Sequence, residues 1–116
     1  MNNLVMAYLG DAVYELYVRE YLINSGICKV KDLQKMSTNY VSAKAQANIL
    51  ERLMSENYFS EEETDIIMRA RNAHSHSSKS TDVITYKKST GLEALVGYLY
   101  INDKMRLESL MREVLK

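Results

Sequence analysis

The sequence has no proline and no tryptophan, a single cysteine, a single phenylalanine and four glycines among its 116 residues. Without proline no segment is barred from a helix by a missing N–H, and so little glycine leaves few sites for tight turns. Leu, Ala, Met, Glu and Lys fill the space, which makes all-α the expected fold class. The lone Cys28 excludes an internal disulfide framework and fits a reducing, cytoplasmic setting. No activating base stands near it in sequence, so it reads as a structural or spectator residue. Neither sign of charge is in excess, with 15 basic and 15 acidic side chains. That balance excludes a globally basic nucleic-acid binder and confines any such binding to a local patch. No apolar run reaches the roughly 18 residues of a membrane span, and no charged leader with a cleavage site opens the chain. One soluble domain with one core is expected, without internal repeat or linker.

What is present is helical periodicity. A first helix is expected over Asn3 to Asn24, capped by Asn2 or Asn3 and stopped at Gly26. A short second helix fits Lys31 to Met36. Ser37 or Thr38 then caps a third, running through Ala43, Ala47, Leu50 and Leu53 to Asn57. Ser60 and Glu63 form a capping box for a fourth, which continues through Ile66, Ile67 and Met68 to Ala73 with Arg69 and Arg71 at its basic end. His74 to Ser80 is polar and serine-rich and reads as a loop. A weak element over Asp82 to Tyr86, an apolar helix from Lys88 to Asn102 and an amphipathic helix from Lys104 to Leu115 bring the total to about six helices.

Two of these helices are almost wholly apolar, yet each carries a carboxylate. Between Leu4 and Val18 only Asp11 and Glu15 are charged, and between Ser89 and Asn102 only Glu93 is. A helix apolar enough to be core should not bury an ionised carboxylate unless a cation or a task comes with it. Glu15 stands one turn before Arg19, the favourable order for a helical ion pair, and takes that structural reading. Asp11 and Glu93 have no basic partner at helical spacing. Gly10 precedes Asp11, and Gly91 and Gly97 flank Glu93. An interior helical glycine is retained where another backbone or a ligand comes close. Two unpartnered carboxylates on two helices suggest a divalent-cation site, a joint site only if the fold brings them together.

Charge is uneven along the chain. The stretch from Glu56 to Asp65 is acidic, whereas Arg69, Arg71, Lys79, Lys87 and Lys88 are accompanied by one acid, Asp82. A locally basic loop in a neutral chain is where a phosphate backbone would bind. His74 and His76 have no cysteine or acid at ligand spacing and read as solvent-exposed. Tyr14, Tyr17, Tyr98 and Tyr100 fall on apolar faces as core or interface residues, and the seven methionines read as core filler. No phosphate-binding glycine loop, zinc-finger spacing or Ser-His-Asp pattern occurs.

The segment YLGDAVYELYVREYL, Tyr8 to Leu22, resembles the hallmark segment of ribonuclease III endonuclease domains, and GLEALVGYLY, Gly91 to Tyr100, resembles that family's other metal-binding helix. More narrowly, RARNAHS (Arg69 to Ser75), VSAKAQ (Val41 to Gln46) and TDVITYKKST (Thr81 to Thr90) are similar to Mini-ribonuclease III. That compact branch has a catalytic domain and no double-stranded-RNA-binding domain. The likeness spans residues 1–116. It implies that Asp11 is the catalytic aspartate and Glu93 the last metal-ligating glutamate, together holding Mg²⁺. Full-size enzymes carry further acids where this chain has Leu4, Ala7 and Thr90, so water and phosphate oxygens would complete the shell, with Thr90 a candidate for a water-mediated role. The implied reaction is hydrolysis of double-stranded RNA to 5′-phosphate and 3′-hydroxyl ends. Arg69, Arg71, Lys79, Lys87 and Lys88 would then clamp the RNA, with Lys44 as an outlying member. A homodimer is implied, because cutting two strands calls for two sites. The implied substrate is a stem of the large-subunit ribosomal RNA precursor, with a ribosomal protein as a candidate second partner and no membrane association.

Two other readings compete at this level. A helical RNA- or ribosome-binding module of the same fold, without catalysis, fits the three missing acids. A plain helical dimer with buried ion pairs would also place carboxylates in apolar helices. Retention of both Asp11 and Glu93 favours the enzyme, because a purely structural domain would be more stable with an amide or aliphatic side chain at each position.

Overall fold

A helix that is apolar around its whole circumference has to be surrounded. In the computed structural model, which describes residues 1–73 and 82–116, that is the fate of α5 (Val83–Asn102). From Ser89 to Leu99 it is buried at every position except Glu93 and Tyr98. Around it pack α1 (Asn3–Asn24), α3 (Ala43–Ser55), α4 (Glu61–Arg71) and α6 (Lys104–Val114), while α2 (Val30–Val41) lies against α1 and α3. The core is a single cluster in which Tyr14, Leu53, Ile67, Leu92, Leu95, Leu107 and Leu110 are almost completely buried. Among the described residues every regular element is an α-helix, and none is long and apolar enough to cross a membrane.

Local signals fix most of the helix ends. Asn2 Oδ1 accepts from Val5 N at 2.8 Å and starts α1. Gly26, with φ +100°, follows its end in the left-handed region that side chains avoid. The capping box of α4 forms as expected: Ser60 Oγ accepts from Glu63 N at 3.1 Å, and Ser60 N donates to Glu63 Oε1 at 3.0 Å. Glu63 is itself buried, and Arg106 of α6 donates to both of its oxygens at 2.8 Å. Burial works to raise the Glu63 carboxyl, but the Arg106 and Ser60 hydrogen bonds outweigh it and hold the group below its ordinary value.

Three boundaries differ from expectation. Helix α2 runs on to Val41 instead of ending at Met36. Ser37 and Thr38 do not cap α3, because their hydroxyls donate back to Gln34 O and Lys35 O at 2.9 and 2.8 Å and are satisfied inside α2. Ser42 does the capping instead, ending α2 and accepting from Ala45 N at 3.1 Å to begin α3. The weak element over Asp82 to Tyr86 and the apolar helix from Lys88 are one helix, α5, capped by Asp82. The β-branched run Val83, Ile84 and Thr85 disguises its first turn. The methionines are also divided: Met6 and Met111 are buried, whereas Met36 and Met105 are exposed and fill no core.

Helices α1 and α5 share the most extensive helix contact, and their backbones come very close at two glycines. A Cβ built on Gly10 would overlap the Glu93 carbonyl oxygen and come within 2.9 Å of Gly97 N. A Cβ on Gly97 would overlap the Met6 carbonyl oxygen and come within 3.1 Å of Gly10 N. The two backbones therefore touch at a reciprocal glycine pair. Gly91 performs the same service against α4, where a Cβ would stand 3.0 Å from Ile67 O. In a free helix, glycine to alanine gains about 1 kcal/mol. Here Gly10→Ala and Gly97→Ala should each lose at least about 3 kcal/mol, the upper end of overpacking costs, in urea unfolding. A neutral or stabilising outcome would show that α1 and α5 do not cross at this pair.

Candidate active site

The glycine crossing decides where the two carboxylates lie. Gly10 rests on the backbone of Glu93, so the next residue of α1, Asp11, projects beside the Glu93 side chain. The carboxyl groups of Asp11 and Glu93 stand within hydrogen-bonding reach of each other. Their environments differ. Asp11 is exposed, contrary to the expectation of a buried residue, because the crossing turns its side of α1 outward. Glu93 is partly buried in the enclosed middle of α5. The glycines thus make room for a neighbouring helix, and the carboxylates meet as a consequence.

A third group joins them from α3. Gln46 lies on the apolar face that includes Ala47, Leu50 and Leu53, and only 1% of its surface is exposed. Its Oε1 accepts a hydrogen bond from Ser89 Oγ. Among the described residues its Nε2 has no partner at good hydrogen-bond geometry, yet it stands close enough to Glu93 to favour the carboxylate anion. Ser89 and Glu93 are one turn apart on α5, so the Gln46 amide spans both. Sequence reading missed this residue, although a polar amide on the apolar face of an amphipathic helix was a visible signal.

Electrostatics on Glu93 are one-sided. Burial pushes its carboxyl up from the ordinary 4.5 to about 8, helped by the charge of Asp11, by the hydrogen bond with Asp11 and, more weakly, by the charge of Glu15. Among the described residues only Gln46 works in the opposite direction, and no basic side chain is among the groups that act on it. The buried hydroxyl of Tyr14, one turn beyond Gly10, donates to Tyr40 O at 2.7 Å and is pushed to higher pKa by burial and then by Glu93. Glu15 pairs with Arg19 at 3.6 Å on an exposed surface, where such a pair adds little stability.

Other positions singled out in the sequence are placed less centrally. Thr90 is buried and its hydroxyl donates to Tyr86 O at 3.0 Å, within its own helix. Leu4 is partly buried and Ala7 buried, so neither offers a polar group. Lys87 and Lys88 belong to helix α5 and not to a loop. Lys88 pairs with Glu51 of α3, and Arg69 pairs with Asp65 one turn earlier. Arg71, Lys87 and Lys44 have no ion pair among the described residues. Lys79, His74 and His76 lie outside the described residues.

The raised carboxyl has a consequence for stability. The unfolded chain releases the Glu93 proton near pH 4.5 and the folded chain near 8, so between them the native state binds more protons. Stability of the cation-free protein therefore falls as pH rises through that window. Melting curves in EDTA from about pH 5 to about pH 8 should show a downward slope that Glu93→Gln flattens, leaving the variant the more stable at the alkaline end. Parallel profiles for the two proteins would mean that Glu93 is not held protonated.

Comparison with known proteins agrees with this architecture. The Ribonuclease III domain family matches residues 4–104. A Mini-ribonuclease 3 from Staphylococcus aureus is 47% identical over 117 residues, spanning 99% of this chain and 87% of the relative. One from Enterococcus faecalis is 45% identical, spanning 100% and 89%. A crystal structure of a Fusobacterium nucleatum protein superposes with TM-score 0.84 at 30% identity, covering 98% of this chain and 91% of its own. By sequence, by fold and by the extent of both matches, the chain belongs to the ribonuclease III family, in its compact Mini-ribonuclease 3 group.

Proposed function

We propose that this endoribonuclease cuts double-stranded RNA with the help of Mg²⁺ held by Asp11 and Glu93. The observation that carries the site is the meeting of two carboxylates across the Gly10–Gly97 crossing, with no basic side chain among the described residues acting on Glu93. Such a pair is electrostatically incomplete without a cation. The donor set fits a hard divalent ion: two carboxylates, one anchored in the core and one facing solvent, with an unpartnered amide alongside. Among the described residues no cluster of three or more metal-ligating side chains occurs. Water and phosphate oxygens would fill the remaining positions, which Mg²⁺ accepts readily.

When bound, the cation would supply charge at the scissile phosphodiester and lower the pKa of the attacking water. The chain itself does the holding. Helix α5 fixes Glu93, the glycine crossing fixes its distance from Asp11, and Glu93 must give up its proton before the cation is taken. Products would carry 5′-phosphate and 3′-hydroxyl ends. An A-form duplex would be gripped through phosphates and 2′-hydroxyls by Arg71, Lys87 and Lys44, with Arg69, Lys79 and Lys88 as further members of the clamp. Cutting both strands calls for two sites. Helix α1 carries an exposed apolar ridge for a symmetric homodimer, with Val5 47%, Tyr8 84%, Leu16 56% and Ile23 56% exposed. The natural substrate in this reading is a stem of the large-subunit ribosomal RNA precursor in the cytoplasm, presented with the help of a ribosomal protein. Accumulation of that unprocessed precursor in cells lacking the protein is the expected sign, and normal processing would discard this substrate.

One assay tests the reading. A long perfect RNA duplex should be cleaved with Mg²⁺ and left intact with EDTA. Asp11→Asn and Glu93→Gln should each lose at least about 100-fold in rate while melting at equal or higher temperature, because an interaction confined to the reaction is removed and a repulsion relieved. Leu16→Glu should sediment as a monomer. Cleavage that survives in EDTA or in both carboxylate variants would sink the proposal, and a Leu16→Glu dimer would relocate the interface.

A further inference from the structure

A site with only two carboxylates depends heavily on how each is aimed. We propose that Gln46 is the positioning residue for Glu93: its amide, anchored to Ser89, holds the carboxylate in the orientation that takes a divalent cation together with Asp11. This inference rests on the reading of Asp11 and Glu93 as the cation-binding pair.

The amide is in an unusual place for a purely structural role. Gln46 is 1% exposed on the apolar face of α3, where Leu or Met would fill the same volume without a polar group to satisfy. A buried donor left unpaired costs about 1–3 kcal/mol. Gln46 Nε2 is such a donor. The orientation of the amide follows from its neighbours. In the cation-binding state Glu93 is an ionised carboxylate that can only accept, whereas the Ser89 hydroxyl can donate or accept. The end facing Glu93 must therefore be the NH₂, and Oε1 is left for the Ser89 hydroxyl, as observed. A flipped amide would set its oxygen against a carboxylate oxygen.

The chemistry of an amide suits this task better than that of a lysine or arginine. A cationic side chain beside Glu93 would neutralise the carboxylate and compete with the metal ion. An amide donates a directed hydrogen bond and adds no charge. Gln46 is too buried to touch RNA or the reacting atoms, so its influence runs through Glu93 alone. Partners that orient a ligating side chain in this way are commonly worth 10–100-fold in metal affinity.

The test uses Mn²⁺ as the probe. Free Mn²⁺ is followed by electron paramagnetic resonance in titrations of the RNA-free protein, beside melting in EDTA and duplex cleavage across Mn²⁺ concentrations. Gln46→Leu and Gln46→Met should melt at or above the wild-type temperature, because the unpaired donor is gone. Both should bind Mn²⁺ about 10-fold or more weakly and need correspondingly more of it for half-maximal cleavage, with much of the rate regained at saturation. A folded Gln46→Leu protein with unchanged Mn²⁺ affinity would overturn the proposal. Should both core variants fail to fold, Ser89→Ala keeps Gln46 but frees its Oε1, and weaker Mn²⁺ binding is again expected; unchanged binding there overturns it equally. Wild-type protein whose Mn²⁺ binding is indifferent to Asp11→Asn gives a different result, removing the cation-binding pair itself and this inference with it.

Discussion

Everything distinctive about this molecule depends on two helix backbones touching at Gly10 and Gly97. A side chain at either position would collide with a carbonyl oxygen of the opposite helix. Helical glycine is costly, and the cost is offset by the contact between α1 and α5, the most extensive in the fold. The same contact sets the chemistry. Asp11 follows Gly10, and Glu93 contributes the carbonyl on which Gly10 rests, so the crossing that closes the core also brings two carboxylates together. Fold and site are one packing decision.

The pair is built asymmetrically. Glu93 is set into a helix surrounded by α1, α3, α4 and α6, while Asp11 looks outward. Burial and Asp11 together push Glu93 to hold a proton at neutral pH, and a divalent cation would take the place of that proton. A scaffold selected for stability alone would replace either acid with an amide. Behind the pair, Gln46 and Ser89 form a neutral polar wall reached from a third helix. The exposed apolar ridge on α1 and the basic side chains Lys44, Arg71 and Lys87 are the surfaces that the proposed duplex-cutting dimer would use.

Much of this was legible in the sequence, for identifiable reasons. The capping box at Ser60 and Glu63, the Asn2 cap and the two apolar helices rest on local rules, and the structure follows them. The end of α2 was not legible, because Ser37 and Thr38 look like caps until their hydroxyls turn back into their own helix. The start of α5 was hidden by three β-branched residues, of which Val83 and Ile84 are exposed, and the Asp82 cap starts the helix ahead of them. At the site, Asp11 and Glu93 stood out because charge is rare on apolar helices. Spacing could not show that they meet, since that depends on a crossing between residues far apart in the chain. Gln46 was missed for a different reason: its place on the apolar face of α3 is visible in the sequence, but an uncharged amide suggests no chemistry until Ser89 and Glu93 are seen around it. The basic residues were grouped as one loop, whereas Lys87 and Lys88 extend a helix and Lys88 is already engaged with Glu51.

The central claim is that the glycine crossing creates one shared cation site from Asp11 and Glu93. Anomalous diffraction from crystals of the wild-type protein grown with Mn²⁺ addresses it most directly, because it locates the ion without reference to activity. The account predicts a peak within about 2.0–2.3 Å of a carboxylate oxygen from both residues of the same protomer, the distance range for an oxygen-ligated divalent ion of this size. A peak bound to only one of the two, or placed elsewhere on the surface while the pair stays protonated, would contradict it.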